Sequence, residues 1–213
     1  VAAIVAECPT CSYPLYSNGC SNCRDEAAKV RKTGILALGG IRAFEDFTVE
    51  AFKPSPLQRP ALEAAKAFDP LKDNLYLCGP VGAGKSHLAA IAARRFLGKT
   101  SIRTMTPFEI SRQVRGAGSG RDEIDVVRGI AESKILIIDD MGTAKDTEFL
   151  VGLLYEIINH RYLNHRGGLI VTSNLKPSEL GEKMGDDRIV SRLIQLCKII
   201  LLAGERDHRI PSV

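Results

Sequence analysis

From residue 60 onward the apolar positions alternate between two spacings. Ala61 to Phe68 is alanine-rich and helical, closed by Asp69-Pro70, and Asn74 to Cys78 is a short apolar strand ended by Gly79. Ser86 to Leu97 carries Leu88, Ile91, Ala92, Arg95 and Phe96 at helical spacing, with Gly98 as the stop. Ser101 to Met105 is strand-like. Thr106-Pro107-Phe108-Glu109 then has the form of a capping box with proline at the first helical position, opening a short helix that ends near Gly116. Ile135 to Ile138 is a continuous strand-sized apolar run, and Leu150, Leu153, Leu154, Ile157 and Ile158 mark an amphipathic helix. Leu169 to Thr172 and Lys198 to Leu202 complete the strands. Five apolar strands alternating with helices predict an α/β fold around a parallel sheet covered on both faces.

Upstream of residue 60 the pattern is different. Lys29 to Gly34 is a basic stretch that reads as a linker, and Lys53 to Pro60 is punctuated by prolines. The expected organisation is therefore a module over 1–30, a linker and leading segment over 31–60, and a core over 61–213.

The connection after the first strand of the core carries chemistry. Gly79-Pro80-Val81-Gly82-Ala83-Gly84-Lys85-Ser86 fits G-x-x-x-x-G-K-[ST] at every fixed position, between a strand and a helix. Glycines let successive N–H groups turn toward phosphates, and the helix N-terminus adds a positive field. Lys85 is placed to reach the β- and γ-phosphates and Ser86 to offer a hydroxyl to Mg²⁺; His87 follows in the same helix and is grouped with the nucleotide-binding residues. The run Ile135 to Ile138 leads into Asp139 and Asp140. At a strand's carboxyl end Asp139 suits Mg²⁺, and Asp140 suits orienting or deprotonating a water, although it is a methylene shorter than glutamate. Leu169 to Thr172 leads into Ser173-Asn174, where Asn174 is a candidate to hold the attacking water or touch the γ-phosphate.

Four of the six cysteines, Cys8, Cys11, Cys20 and Cys23, form C-x₂-C-x₈-C-x₂-C at the start of the chain. Two close pairs let four thiolates converge on one Zn²⁺. Two disulfides, a redox pair and an iron–sulfur cluster are the rival readings; no secretion-signal pattern precedes them, which argues against disulfides. Cys78 and Cys197 read as core residues. The chain has 213 residues, 45% hydrophobic and 25% charged, a soluble globular composition with no apolar run long enough to span a membrane. The formal net charge is +4. Within 1–30, Arg24 and Lys29 face Glu7, Asp25 and Glu26, so this module is slightly acidic and the core carries the positive excess.

The segments Ala43 to Phe47, Gly79 to Leu88, Ile137 to Gly142, Thr172 to Asn174 and Asp187 to Leu193, with the tail Gly204 to Arg209, resemble the AAA+ ATPases, specifically bacterial helicase loaders of the DnaC/DnaI type and their IstB relatives. His208 stands where the family has tyrosine. The resemblance implies a five-stranded P-loop NTPase core in which the Asn174 strand lies between the two Walker strands. It implies Asn174 as sensor 1, Arg192 as an arginine finger acting on a neighbouring subunit, Arg188 as the second candidate for that role, and Arg209 at the sensor 2 position. Only 11 residues follow Leu202, so no C-terminal lid domain is expected. Arg112 and Arg115 share a helix face in the region that lines a single-stranded DNA groove in the family. The expected activity is ATP hydrolysis in a cytoplasmic, ATP-dependent homo-oligomer that delivers a replicative hexameric DNA helicase, gripped by the N-terminal zinc ribbon. An IstB-like transposition helper, or a nucleotide-switched adaptor with little hydrolysis, is the alternative.

Overall fold

The structure is a computed structural model that describes residues 4–7, 14–16, 19–20, 47–97, 99–117, 121–143, 147–164 and 167–203. Cys8, Cys11, Cys23, Arg209 and the tail motif at 204–209 lie outside the described residues, as do the 29–34 linker and residues 43–46; of Cys20 only the backbone is described. At the start of the chain β1 (Ile4–Glu7), β2 (Pro14–Tyr16) and β3 (Gly19–Cys20) form a small antiparallel sheet in that order.

The core is a five-stranded parallel sheet built from β4 (Leu75–Cys78), β5 (Ile102–Met105), β6 (Ile135–Met141), β7 (Gly168–Ser173) and β8 (Lys198–Leu201). Their spatial order is β5-β6-β7-β4-β8, so the Asn174 strand lies between the Walker strands. The two-residue period of a strand divides β4, β6 and β7 between two cores. Leu75, Leu77, Ile135, Ile137 and Ile170 face α1 (Arg59–Ala67) and α2 (Lys85–Arg94). Tyr76, Cys78, Leu136, Ile138, Leu169 and Val171 face the opposite layer. That layer comprises α3 (Pro107–Arg115), α4 (Arg121–Ala131), α5 (Glu148–Asn164), α6 (Pro177–Met184) and α7 (Asp187–Leu196). Burial on both faces explains why β4, β6 and β7 read as apolar runs. Both isolated cysteines are buried free thiols, and burial pushes the Cys197 thiol up to about 12.

The capping box predicted at Thr106 is present: Thr106 Oγ1 accepts from the Glu109 N–H at 3.2 Å, and the Glu109 carboxylate accepts from the Thr106 N–H at 2.8 Å. Three helices go beyond the sequence reading. α4 is so charged that its buried Val127, Ile130 and Ala131 were hidden among acids and arginines. α6 and α7 are short and abut at Gly185, which adopts φ 66° and ends α6. Residues 47–58 are also more than a spacer, because Phe52 and Gln58 are buried against the core. At the other end of the sheet, Arg161 is buried and donates to the carbonyls of Ala131, Ser133 and Gly168 at 2.6–2.8 Å. It joins the end of α4 and the entries to β6 and β7, on the side away from Gly79.

Candidate nucleotide-binding site

The glycine loop leaves β4 and enters α2 with positive φ at Gly79 (152°), Gly82 (78°) and Gly84 (85°). At two of these positions a side chain would also collide. A Cβ on Gly79 would lie 2.4 Å from the Leu202 carbonyl oxygen, and one on Gly84 would lie 2.5 Å from the Phe52 ring. The loop is thus held closely from both sides. It borders a cavity of about 300 Å³ lined by Val81, Gly82, Gly84, Lys85, Ser86, His87, Asp140, Asn174, Phe47 and Thr143. Gly79, Pro80 and Ala83 shape the loop without lining that cavity. Lys85 Nζ donates to the carbonyls of Gly79 (2.9 Å) and Pro80 (2.7 Å), so the buried ammonium rests on the loop's own backbone.

Beneath the cavity, β6 and β7 deliver the acid. Asp139 Oδ1 accepts from Ser86 Oγ at 2.9 Å and from Thr172 Oγ1 at 2.6 Å. Burial raises the Asp139 pKa, the two hydroxyls and Lys85 oppose that rise, and the neighbouring Asp140 adds to it. Thr172 Oγ1 in turn accepts from the Asp140 N–H at 2.9 Å, and Asp140 has φ 58°, the one non-glycine residue with positive φ among the described residues. That turn points successive carboxylates differently: Asp139 sits under Ser86, while Asp140 lines the cavity with Asn174. In the sequence Thr172 is only the last residue of an apolar strand run; the structure pairs it with Leu77, one residue before the end of β4. Converging hard oxygens from Ser86 and Asp139 are the donor chemistry that Mg²⁺ takes, so these residues fit the cation.

The proline-punctuated segment before α1 closes over the loop. His87 Nε2 lies 2.7 Å from the Thr48 carbonyl, which can only accept, so Nε2 carries the proton. The ring stacks on Phe47 at 4.6 Å and meets Phe52 edge-on at 5.0 Å. Gln58 Nε2 donates to the Ala83 carbonyl at 3.1 Å. His87 therefore touches both the cavity and this strap.

The arginines lie elsewhere. Arg188 and Arg192, one turn apart on α7, do not line the cavity. Arg188 makes a bidentate pair with Asp186 at 2.7 and 3.0 Å, which lowers the Asp186 pKa and raises that of Arg188. Arg112 and Arg115 are exposed on α3, with Arg115 4.9 Å from the Phe149 ring centroid and Phe108 exposed nearby on the same helix.

A glycine loop at the end of a central strand, with β7 inserted between it and the strand bearing Asp139, defines a P-loop nucleotide-binding protein of the AAA+ type. Residues 21–209 match the family described as IstB-like ATP binding protein, and the chain belongs to that family. An insertion-sequence ATP-binding protein (IS5376) of Geobacillus stearothermophilus is 30% identical over 166 residues, which cover 75% of this chain and 64% of that protein. The replicative helicase loader DnaC of Escherichia coli K12 is 25% identical over 173 residues, 76% of this chain and 70% of that protein. A crystal structure of the DnaC helicase loader superimposes with a TM-score of 0.63 at 18% identity, covering 76% of this chain and 100% of that one. The chain spans 51% and 64% of the length of two of the curated relatives it matches. Among the described residues no helix is long and apolar enough to cross a membrane.

Proposed function

We propose that this chain is an ATPase that loads a replicative DNA helicase, with ATP bound in the cavity over Gly79–His87. The observation that carries the ATPase reading is the pair of hydroxyls, Ser86 and Thr172, fixed on the half-buried Asp139 directly below the loop. Ser86 and Asp139 would hold Mg²⁺, which when bound supplies charge neutralisation on the phosphates. Lys85 exchanges its backbone carbonyls for phosphate oxygens. Asp140 and Asn174 face the cavity from adjacent strands, where they orient the attacking water. Arg192 of a neighbouring copy completes the charge, with Arg188 as the second candidate and Arg209 at the sensor 2 position. The exposed Arg112 and Arg115, beside Phe108 and Phe149, contact single-stranded DNA through phosphates and stacked bases. Cys8, Cys11, Cys20 and Cys23 bind Zn²⁺ in a ribbon that grips the helicase.

A second reading keeps the ATPase and changes the client: the 30%-identical relative belongs to an insertion sequence, which supports a transposition helper. Affinity capture with tagged protein, ATP and either a purified hexameric helicase or a purified transposase separates the two. Retention of the helicase supports the loader, and retention of the transposase alone overturns it. In the same preparation, Arg112→Ala with Arg115→Ala should weaken single-strand binding and flatten its salt dependence, and metal analysis should give zinc at one per chain.

A further inference from the structure

α5 presents Tyr155, Asn159 and Tyr162 at helical spacing along one stripe, and α7 lays Arg188 and Arg192 against it. Arg192 Nε donates to Asn159 Oδ1 at 2.6 Å and its terminal nitrogen to the Tyr155 hydroxyl at 3.2 Å. Its guanidinium stands 5.0 Å from the Tyr155 ring centroid and 5.5 Å from that of Tyr162. The remaining nitrogen reaches the Arg188 carbonyl at 3.4 Å. Every one of these partners is neutral, and among the described residues no carboxylate pairs with Arg192.

Arg188 is held the opposite way. It shares the Tyr155 ring, at 4.5 Å, but its charge is matched by Asp186, which also caps α7 by accepting from the Arg188 N–H at 2.9 Å. Two guanidinium groups on one ring repel unless one is neutralised, and Asp186 does that for Arg188. Arg192 is therefore oriented by four residues, and among the described residues no anion pairs with it. A guanidinium so arranged is preorganised for an anionic ligand brought by another molecule.

We infer that Tyr155 and Asn159 are positioning residues that aim Arg192, and not Arg188, at the γ-phosphate of ATP bound to an adjacent copy of the chain. This rests on the reading of Arg192 as a residue acting in trans. Asn159 supplies a neutral acceptor that fixes the Nε edge without cancelling the charge. Tyr155 supplies a flat face and one hydroxyl that fix the plane.

The test uses the full chain with ATP and Mg²⁺, read by turnover, by ATP-dependent assembly in sedimentation velocity, and by nucleotide affinity of the dilute chain. Arg192→Ala should lower turnover at least about 100-fold. Asn159→Ala and Tyr155→Leu should each lower it about tenfold, and Tyr155→Phe, which keeps the ring, about threefold. All should bind nucleotide with unchanged affinity. Asn159→Asp keeps the acceptor oxygen but adds a carboxylate, so it should impair turnover as much as Asn159→Ala; a purely structural role would leave it near wild type. Mixing Tyr155→Leu with Lys85→Ala chains should restore turnover, because the second supplies an intact Arg192 to the first. Full turnover in Asn159→Ala, Asn159→Asp and Tyr155→Leu, with Arg192→Ala inactive, overturns the inference alone. Full turnover and assembly in Arg192→Ala, or a wild-type chain that neither assembles nor hydrolyses with ATP, overturns the trans reading itself.

Discussion

The hydroxyl of Ser86 lies 2.9 Å from Oδ1 of Asp139, linking the first turn of α2 to the end of β6 across 53 residues of sequence. Partial burial makes this carboxylate costlier to ionise than one in water, and two hydroxyl donors with Lys85 only partly offset that cost. The site thus carries a destabilising charge in the chain without nucleotide, as sites that await a cation commonly do.

Asp139→Asn should therefore stabilise the nucleotide-free protein while impairing Mg²⁺-dependent binding. The sign follows from the raised pKa: the folded state holds its proton more tightly, so the carboxyl favours folding below the ordinary carboxylate range and loses that contribution as pH rises through the folded value. The melting-temperature gain of Asp139→Asn over wild type should be largest at pH 8 and shrink toward pH 4. A gain that is constant with pH, or a loss at pH 8, contradicts the assignment.

Gly84 tests the strap. At φ 85° with the Phe52 ring against it, Gly84→Ala meets both backbone strain and a collision, and should cost about 2 kcal/mol or more. Because Phe52, Gln58 and Thr48 hold residues 47–58 to the loop, amide exchange in that segment should accelerate in the variant while the sheet stays protected. Unaltered exchange across 47–58 would show that the loop and strap are not coupled.

Arg161 tests the far end of the sheet. Burial lowers its pKa to about 10, so it stays charged near neutrality, balanced by three carbonyls and, among the described residues, no carboxylate. Arg161→Met removes a charged donor from each of those carbonyls and should cost about 3 kcal/mol, measured by denaturant midpoint, with nucleotide affinity unchanged. A shift below about 0.5 kcal/mol would mean water replaces the guanidinium freely.

The central strands β4, β6 and β7 were legible because their apolar residues are buried on both faces: Ile135 to Ile138 needs no alternation to announce itself. The loop from Gly79 to Ser86 was legible because its glycines and Lys85 serve local geometry, which sequence records directly. Asp139 and Asn174 were legible from their places at strand ends. Thr172 and His87 were harder, since their partners, Asp139 and Thr48, are 33 and 39 residues away. The strap was hidden because prolines at 54, 56 and 60 look like a spacer, while what fixes it is tertiary contact by Phe52 and Gln58. The neutral surroundings of Arg192 were invisible for the same reason: motif order points to the arginine, but only the packing of α5 on α7 brings Asn159 and Tyr155 to it.

The central claim is that the cavity over the glycine loop binds ATP together with Mg²⁺, and the most direct measurement is calorimetric titration of ATP into the full chain with and without Mg²⁺. Wild type should bind one ATP per chain, more tightly with Mg²⁺, and Lys85→Ala should weaken that binding about 100-fold or more, as loss of a buried charge contact to phosphate requires. Equal affinity for ATP in wild type and Lys85→Ala, with no dependence on Mg²⁺, would contradict the account.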